Sequence, residues 1–390
     1  MDNEQLPKGY KNTEVGVIPE DWGIGSIKDL ALIKTGSRNT QDKIEGGEYP
    51  FFVRSQIIER INSYSYDGEA VLTAGDGVGV GKVMHYINGK FDCHQRVYRI
   101  SDFNKKISGY YFYLYFSNNF LNRIMQMTAK SSVDSVRMDM IANMQIPLPP
   151  TKAEQTAIAT ALSDADALIN SLEKLIAKKR NIKQGAMQQL LKPKEGWEVK
   201  KLGEIAAFFK GKGLPKSHLK ENGKYKCIHY GELFTKYKES ISSILSYTNE
   251  NENCFFSISN DVLMPTSDVT PNGLATASCI KQDGIILGGD VLVIRILPSI
   301  LDGLFLSFYV SQNREKVMKL VSGSTVYHLY GSDMKDFEIS YPKTEEQNEI
   351  ATILSDMDNE IQALETKLEK YRKIKLGMMQ NLLTGKIRLV

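Results

Sequence analysis

The sequence predicts an α+β protein in which two globular α/β domains are separated by two long helices, as an internal repeat with pseudo-two-fold symmetry. The first observation is a duplicated segment. Gln155–Asp164 matches Gln347–Asp356, and the offset of 192 residues holds as far as Leu191 and Leu383. About 20 of the 37 aligned positions are identical. Self-similarity at a fixed offset is the signature of duplicated structural units.

The second observation is the helical period of both copies. Their apolar residues follow alternating steps of four and three, which is the spacing of a coiled-coil seam. The seam includes Ile158, Leu162, Ile169, Leu172 and Ile176 in the first copy, and Ile350, Leu354, Ile361, Leu364 and Leu368 in the second. A helix of about 40 residues is about 60 Å long, which exceeds the usual length of a core helix. We therefore expect the two copies to pack on each other as an antiparallel coiled coil.

Prolines and tryptophans mark the domain boundaries. Pro149, Pro150 and Pro342 precede the two helices, as is typical of helix starts, and similar segments begin at Trp22 and Trp197. The predicted order is a tail over 1–21 that packs near the C-terminus, a domain over 22–148, a helix over 149–192, a domain over 193–341, and a helix with a C-terminal tail over 342–390. Short runs rich in Val, Ile and Tyr predict strands within the domains. Residues 110–127 and 304–320 predict one helix each.

The composition places the chain among ordinary globular proteins. It has 390 residues, and 49 Lys and Arg against 46 Asp and Glu give a net charge of +3, which is too small to indicate a nucleic-acid partner by itself. The four cysteines form no C-x-x-C pair, so reduced cytosolic thiols are expected. There is no secretory signal and no apolar run of about 18 residues. We expect a cytoplasmic protein.

Catalytic and metal-binding motifs are not found in the sequence. An adenine methyltransferase needs Asn or Asp before Pro-Pro and an aromatic residue, but Pro149-Pro150 lies between Leu148 and Thr151. The glycine run over 75–82 fails the phosphate-loop pattern at both ends and is typical of a tight turn or hairpin. The five histidines show no metal-binding or catalytic-triad spacing. The expectation is that the chain has no catalytic residues and no metal site.

The order of domain, helix, domain and helix resembles the specificity (S) subunit of type I restriction-modification systems, over essentially the whole chain. The resemblance rests on the opening segment Gly9–Trp22, on the junction Ile146–Gln155, and on the Leu-Leu ends of both helices. The junction is the most specific of these features. The second copy departs from it at Ser340 and Tyr341, which we expect to change nothing functional.

The resemblance implies a DNA-recognition subunit without catalytic activity of its own. Each domain would be a target-recognition domain that reads one half of a bipartite DNA site, and the coiled coil would set the spacing between the halves. Because the two domains share little sequence, the site should be asymmetric. The partners implied are double-stranded DNA, two methyltransferase subunits for adenine-N6 methylation, and two restriction subunits. S-adenosylmethionine, ATP and Mg²⁺ would be bound by those partners, and this chain would hold no cofactor.

The candidate DNA-binding residues are polar and basic side chains in the turns of the two domains, since such side chains reach phosphates and base edges. In the first domain they are Arg38, Asn39, Gln41, Arg54, Gln56, His94, Gln95, Arg96, Lys130, Ser132 and Arg137. In the second they are Lys210, Lys212, Lys216, Ser324, Thr325, Tyr327 and His328. Residues 198–238 carry ten lysines and four glutamates, a local excess of positive charge that suits phosphate binding.

Two alternatives from other classes remain. A non-catalytic scaffold with two ligand-binding domains on a coiled coil would bind its ligand independently of salt. A stand-alone DNA-modifying enzyme, such as a methyltransferase or nuclease, would methylate or cut DNA without a partner.

Overall fold

The computed structural model describes residues 6–127 and 135–389. They form two compact units: unit 1 consists of residues 1–173 and 367–390, and unit 2 consists of residues 174–366. The unit boundaries therefore fall inside the two long helices and differ from the predicted domain boundaries, because each unit contains the start of one long helix and the end of the other.

Unit 1 contains a mixed β-sheet with a helix packed on it, and parts of both long helices. Its strands are β1 Tyr10–Thr13, β2 Gly16–Pro19, β3 Gly23–Ser26, β4 Leu32–Thr35, β5 Tyr49–Phe52, β6 Glu59–Ile61, β7 Tyr66–Ala74, β8 Met84–Cys93, β9 Val97–Ser101 and β10 Gln145–Leu148. Its helices are α1 Ile27–Leu30, α2 Gly109–Met127 and α3 Met138–Ala142, and the long helix α4, Lys152–Leu190, begins in this unit.

The main sheet of unit 1 has the strand order β4-β9-β7-β8-β5-β6. Its neighbouring strands are antiparallel except for β5 and β8, which are parallel. Helix α2 contacts β7 and β8 and carries aromatic residues at i, i+4 spacing, which places them on one face. Phe112, Phe116 and Phe120 are fully buried, with successive ring centroids 5.3 and 4.4 Å apart. The sheet and this aromatic row form the core of the first domain.

Unit 2 is built from the same kinds of parts. Its strands are β11 Glu198–Lys201, β12 Ala206–Lys210, β13 Tyr225–Ile228, β14 Ser240–Ile241, β15 Ser246–Thr248, β16 Phe255–Phe256, β17 Val262–Pro265, β18 Ser267–Asp268, β19 Ser278–Ile280, β20 Ile286–Leu287, β21 Val291–Ile296, β22 Tyr327–His328 and β23 Glu338–Tyr341. Its helices are α5 Leu202–Ile205, α6 Glu232–Thr235, α7 Pro271–Leu274, α8 Gly303–Gln312, α9 Arg314–Met318 and α10 Gly331–Met334, and the long helix α11, Thr344–Leu382, begins in this unit.

The strands of unit 2 form a five-stranded sheet, β12-β21-β17-β19-β14, and a four-stranded sheet, β15-β13-β20-β16. The prediction of a single helix over 304–320 is wrong, because the helix divides into α8 and α9 at Asn313. The φ of −103° and ψ of 35° of Asn313 are not helical, and its side-chain amide donates to the carbonyl of Tyr309. Among the described residues, no helix is both long and apolar enough to cross a membrane.

Each long helix has 39 residues, about 58 Å at 1.5 Å per residue. At their starts the apolar stripe packs into a domain core. Ile158 and Leu162 belong to the buried cluster of the first domain, together with Leu382 and Leu383 from the end of α11. In unit 2 the start of α11 and the end of α4 meet in the same way: the cluster includes Ile350, Leu354, Met187 and Leu191. Further along the helices, Ile169, Leu172, Ile176, Ile361 and Leu368 are buried and Leu364 is half-buried.

Ion pairs along the helices repeat with the same offset as the sequence. In unit 2, Lys183 pairs with Asp358 at 2.7 Å and Arg180 with Glu365 at 2.5 Å. In unit 1 the equivalent residues pair as Lys375 with Asp166 at 2.5 Å and Arg372 with Glu173 at 2.6 Å. In both units the residue numbers increase along one helix while those of their ion-pair partners decrease along the other. The paired helix segments therefore run antiparallel.

A buried glutamine joins each long helix to the domain that precedes it. The Gln155 side chain accepts from the N–H of Ser108 at 2.8 Å and donates to the carbonyls of Lys106 and Pro149 at 2.8 and 3.3 Å. Ser108 immediately precedes α2, so this side chain fixes the start of α2 against the start of α4. Both side-chain groups of Gln155 are satisfied although the residue is 1% exposed.

Gln347 makes the same set of bonds in unit 2. It accepts from the N–H of Asp302 at 2.8 Å and donates to the carbonyls of Ile300 and Pro342 at 3.1 and 2.8 Å. Asp302 caps α8 by accepting from the N–H of Phe305. The conspicuous Gln of the sequence repeat is therefore a structural residue.

Segments near the N- and C-terminal ends of the described residues contact each other within unit 1. The Tyr10 hydroxyl donates to the carbonyl of Gly385 at 3.2 Å. Arg388 pairs with Asp21 at 3.0 Å and with the buried Glu154, and its guanidinium lies 5.7 Å from the centroid of the Trp22 ring.

Lys194 takes the corresponding position in unit 2. It pairs with Glu346 at 2.9 Å and lies 5.7 Å from the Trp197 ring. Glu346 is the repeat equivalent of Glu154. A continuous linker in unit 2 is thus matched in unit 1 by two separate segments that a hydrogen bond and ion pairs hold together.

Replacement of Gln155 by Leu should destabilise the protein by about 2–4 kcal/mol, because it leaves the partly buried N–H of Ser108 and two carbonyls without partners. Urea unfolding followed by circular dichroism measures the loss. Gln362→Leu, at an exposed site on α11, is the matched control and should change stability by about 0.5 kcal/mol or less. Equal effects of the two substitutions would contradict the structural role of Gln155.

Candidate nucleic-acid interface

A glycine brings the chain after β4 close to the turn between β8 and β9. The N–H of Gly36 donates to the carbonyl of Val97 at 3.2 Å. A Cβ at this position would lie 1.9 Å from the carbonyl oxygen of Cys93, so only glycine allows this approach. The residues after Gly36 therefore lie beside turn A, which we define as residues 94–96.

The second domain contains the same arrangement. Gly211 donates to the carbonyl of Val291 at 2.8 Å, and a Cβ there would lie 2.0 Å from the carbonyl oxygen of Gly288. The residues after Gly211 lie beside turn B, defined as residues 288–290.

Three further backbone hydrogen bonds match between turns A and B. In turn A, the N–H groups of Gly75, His94 and Gln95 donate to the carbonyls of Arg96, Phe52 and Arg38. In turn B, the N–H groups of Thr266, Gly288 and Gly289 donate in the same order to the carbonyls of Asp290, Ile228 and Gly213. The distances are between 2.8 and 2.9 Å. The two turns thus share one set of backbone hydrogen bonds, although Asp290 has a left-handed φ of 60° and Arg96 does not. Their residues differ, being His, Gln and Arg in turn A and Gly, Gly and Asp in turn B.

Asp76 forms ion pairs with two arginines beside turn A. Its carboxylate accepts from Arg54 at 2.7 Å through Oδ1, and Oδ2 lies 3.7 Å from Arg96 Nε. Arg54 follows β5, Asp76 follows β7, and Arg96 ends turn A, so three separate loops contribute. The side chains of Arg54 and Arg96 are 44% and 66% exposed.

His94 stabilises turn A from inside. It is 5% exposed, and its Nδ1 accepts from the N–H of Arg96 at 2.9 Å. Burial lowers the pKa of His94, and the nearby cation of Arg54 lowers it further. The neutral imidazole, which can accept at Nδ1, is therefore the favoured form.

Arg38 has a different role from Arg54 and Arg96. Its guanidinium binds the fully buried carboxylate of Asp92 at 3.0 Å and donates to the Ser63 hydroxyl. Removing Arg38 would leave a buried charge without its cation. The side chain is thus largely committed to the fold of the domain.

The other candidates of the first domain lie around this cluster. Gln95 donates to the Asn39 side chain at 2.7 Å, and Gln56 donates to the carbonyl of Lys82 at 2.8 Å. Gln41 lies in a short 3₁₀ helix, Thr40–Asp42, and is exposed. Arg137 is exposed before α3. Lys130 and Ser132 lie outside the described residues.

Lysines lie beside turn B in the second domain. Lys210 pairs with Asp290 of the turn at 3.0 Å. Lys212 and Lys216 are exposed, and no ion pair is found for either among the residues that the structure describes. Burial lowers the pKa of His229, which follows β13, and the cation of Lys216 lowers it further.

The remaining candidates lie on a neighbouring loop. Tyr327 and His328 form β22, which pairs antiparallel with β18, and Ser324 and Thr325 are exposed before it. The His328 ring stacks on Tyr330 with centroids 5.7 Å apart and an interplanar angle of 9°. In the first domain the corresponding bridge joins Asp76 and Ser135.

Sequence reasoning missed Asp76 and Asp290 as members of these clusters. The sequence nevertheless carried a signal for the loop of Asp76. Ala70–Thr73 matches Asp261–Met264 at an offset of 191, and extending this alignment places Asp76 opposite Ser267. The same extension pairs Val78 with Val269, which are 98% and 73% exposed. An apolar side chain uncovered at the same loop position in both domains marks these loops as exposed tips.

Three buried cysteines of the described residues are unsuited to nucleophilic chemistry. Burial raises the pKa of Cys93, Cys227 and Cys279 to about 12, so these thiols are protonated near neutral pH and are poor nucleophiles. No group of three or more His, Cys, Asp or Glu side chains within residues 6–127 and 135–389 could hold a metal ion.

Comparison with known proteins identifies related chains. The family model of the type I restriction modification DNA specificity domain matches twice, at residues 19–184 and 194–372. Two specificity subunits of type I restriction enzymes from Methanocaldococcus jannaschii are similar along most of their length. MjaX is 28% identical, covering 98% of this chain and 97% of that protein, and MjaVIII is 25% identical, covering 95% and 94%.

Solved structures show the same fold. The S subunit of a type I restriction-modification system from M. genitalium has a TM-score of 0.65 at 16% identity and covers 93% of this chain and 96% of that one. A chain from a structure describing assembly of a type I restriction-modification system has a TM-score of 0.53 at 13% identity, covering 95% and 99%. The predicted fold class, with two α/β domains and two long helices, is confirmed.

The lowered pKa of His94 predicts a loss of stability in acid. The neutral form is favoured in the fold, so its contribution is complete above the unfolded pKa of about 6.5 and declines as the pH falls below that value. NMR titration should give a midpoint below 6.5 for His94, assigned by the loss of its signal in His94→Gln. Thermal unfolding of that variant should also depend less on pH between about 7.5 and 5.5. A His94 midpoint above 6.5 would contradict the assignment.

Proposed function

This chain belongs to the family of type I restriction-modification DNA specificity subunits, and we propose that each of its two domains reads one half of a bipartite, asymmetric DNA site. The long helices that contribute to both units set the spacing between the half-sites. The chain supplies recognition, while the chemistry of methylation and cleavage belongs to its partners.

The observation that carries the proposal is the pair of turns A and B. Both turns are fixed by the same backbone bonds, yet they present different side chains, including a cation at Arg96 and an anion at the matched Asp290. Direct readout of DNA depends on which donors and acceptors reach the base edges. Two turns that are held by the same hydrogen bonds but carry different side chains suit the reading of two different sequences, which supports an asymmetric site.

The proposal includes two methyltransferase subunits and, through them, two restriction subunits as partners. Support comes from the repeated helices, whose ion pairs Lys183–Asp358 and Lys375–Asp166 recur in both units. A duplicated surface suits two copies of one partner. S-adenosylmethionine, ATP and Mg²⁺ then bind to those subunits and not to this chain.

Exchange of residues 22–148 for the corresponding segment of another family member should change one half-site and leave the other unchanged. The exchanged segment must keep the backbone groups that Gln155 binds, so that the new domain docks on α4. Co-expression with the cognate methyltransferase subunit, followed by genome-wide mapping of N6-methyladenine, measures the result. The reciprocal exchange of residues 197–341 is the control and should change the other half. A change in both halves, or in neither, would refute the assignment of one domain to each half-site.

Replacement of Lys212 and Lys216 by Gln should weaken DNA binding and reduce its dependence on salt. For each of these lysines that binds a phosphate, the substitution should lower the slope of log K against log salt concentration by about 1. Fluorescence anisotropy with the complex of this chain and its methyltransferase subunit measures the slope. Lys200 and Lys201 lie in β11 and pair with Glu198 and Asp336; their replacement by Gln is the charge-matched control and should leave the slope unchanged. DNA binding that is insensitive to salt in the unmodified protein would contradict phosphate contacts and favour the alternative of a scaffold for another ligand.

A further inference from the structure

The ion pairs of Asp76 are not explained by stability. Arg54, Arg96 and Asp76 are all partly exposed, at 44%, 66% and 26%, and exposed pairs contribute little to folding. The cluster nevertheless brings together three loops, and it lies beside the uncovered tip at Val78. Its position and its exposure point to a contact made outside the chain.

Three other arginines of the first domain, Arg38, Arg60 and Arg99, are committed to structural contacts. Arg38 binds the buried Asp92, Arg60 donates to the carbonyls of Gly47 and Glu48, and Arg99 lies over the Tyr66 ring at 4.1 Å. Arg54 and Arg96 differ from these because both are largely open to solvent and, among the described residues, form ion pairs only with Asp76. Arg54 donates a hydrogen bond to its carboxylate at 2.7 Å, and Arg96 forms a longer ion pair at 3.7 Å.

We propose that Arg54 and Arg96 read guanine in the half-site of the first domain and that Asp76 is the residue that positions them; this rests on the proposed function. A guanidinium donates two parallel hydrogen bonds to O6 and N7 of guanine in the major groove. Arg54 and Arg96 use separate oxygens of Asp76, which leaves N–H groups of each free for a base. The carboxylate limits the rotamers of both side chains, so less entropy is lost on binding.

The second domain lacks this arrangement. Asp290 occupies the position of Arg96, and Lys210 neutralises it. The matched site therefore presents an ammonium and a carboxylate in place of two guanidinium groups. Guanine at the corresponding position should be read by the first domain only.

The test uses this chain in complex with its cognate methyltransferase subunit and a library of random double-stranded DNA, from which bound sequences are selected. The variants are Arg54→Gln, Arg96→Gln and Asp76→Asn. The control is Lys105→Gln, which removes one charge from the same unit at an exposed position beside Pro149 and outside the cluster. Thermal unfolding and the salt dependence of binding are measured for each variant.

Each arginine variant should lose selectivity for guanine by about 5- to 150-fold at a position in one half-site. The other bases of that half-site, and the whole of the second half-site, should remain selected, which also shows that both domains are folded. Asp76→Asn should relax the same positions while raising affinity for non-specific DNA, because it frees two cations. A purely structural role of Asp76 would not produce that rise.

Other results would overturn the inference. If the motif is unchanged in both arginine variants, Arg54 and Arg96 do not read bases. If binding weakens equally for all sequences and the salt slope falls by about 1, they contact phosphates. If a whole half-site is lost, they support the loops instead. Failure of the unmodified complex to select any bipartite motif would refute the proposed function itself, which distinguishes the two failures.

Discussion

The buried amide of one glutamine in each unit is the contact on which the placement of the recognition domains depends. Gln155 and Gln347 each satisfy an N–H and two carbonyls where a long helix leaves its domain. An amide has both a donor and an acceptor, so it can bridge the start of a packing helix and the proline-containing strand end at once. A domain that reads DNA must be held rigidly, since a small rotation at its base displaces its loops.

Rigidity continues from that junction to the loops through backbone contacts. Gly36 and Gly211 lie against carbonyl oxygens at distances that exclude any side chain, and turns A and B are held by backbone hydrogen bonds. The side chains of the turns therefore contribute little to the turn geometry, apart from His94 and from Asp290, whose φ of 60° favours Gly, Asn or Asp. Positions 95, 96 and 289 can differ at little cost to the fold, which is a property required of a domain whose targets vary.

The sequence predicted the architecture well because the same signals occur in both copies of the repeat. The duplicated helices, the prolines before them and the seam residues are strong local signals. The structure has helices Lys152–Leu190 and Thr344–Leu382 where the sequence predicts one over 149–192 and one within 342–390. The packing partner of the seam was harder to predict, because a heptad pattern does not show which element its apolar residues contact. Four seam residues belong to domain cores as well: Ile158, Leu162, Ile350 and Leu354. Asn313 also interrupts a helix whose apolar residues look continuous in sequence.

The recognition cluster was only partly predictable because residue type does not reveal which partner a charged group has. Arg38, Arg54 and Arg96 are equivalent candidates in sequence, but their carboxylate partners are distant along the chain and differ in burial. Asp92 is fully buried and holds Arg38 in the fold, whereas Asp76 is partly exposed and leaves its arginines accessible. The difference between a structural cation and one available to DNA is therefore set by the environment of the anion, which only the tertiary structure defines.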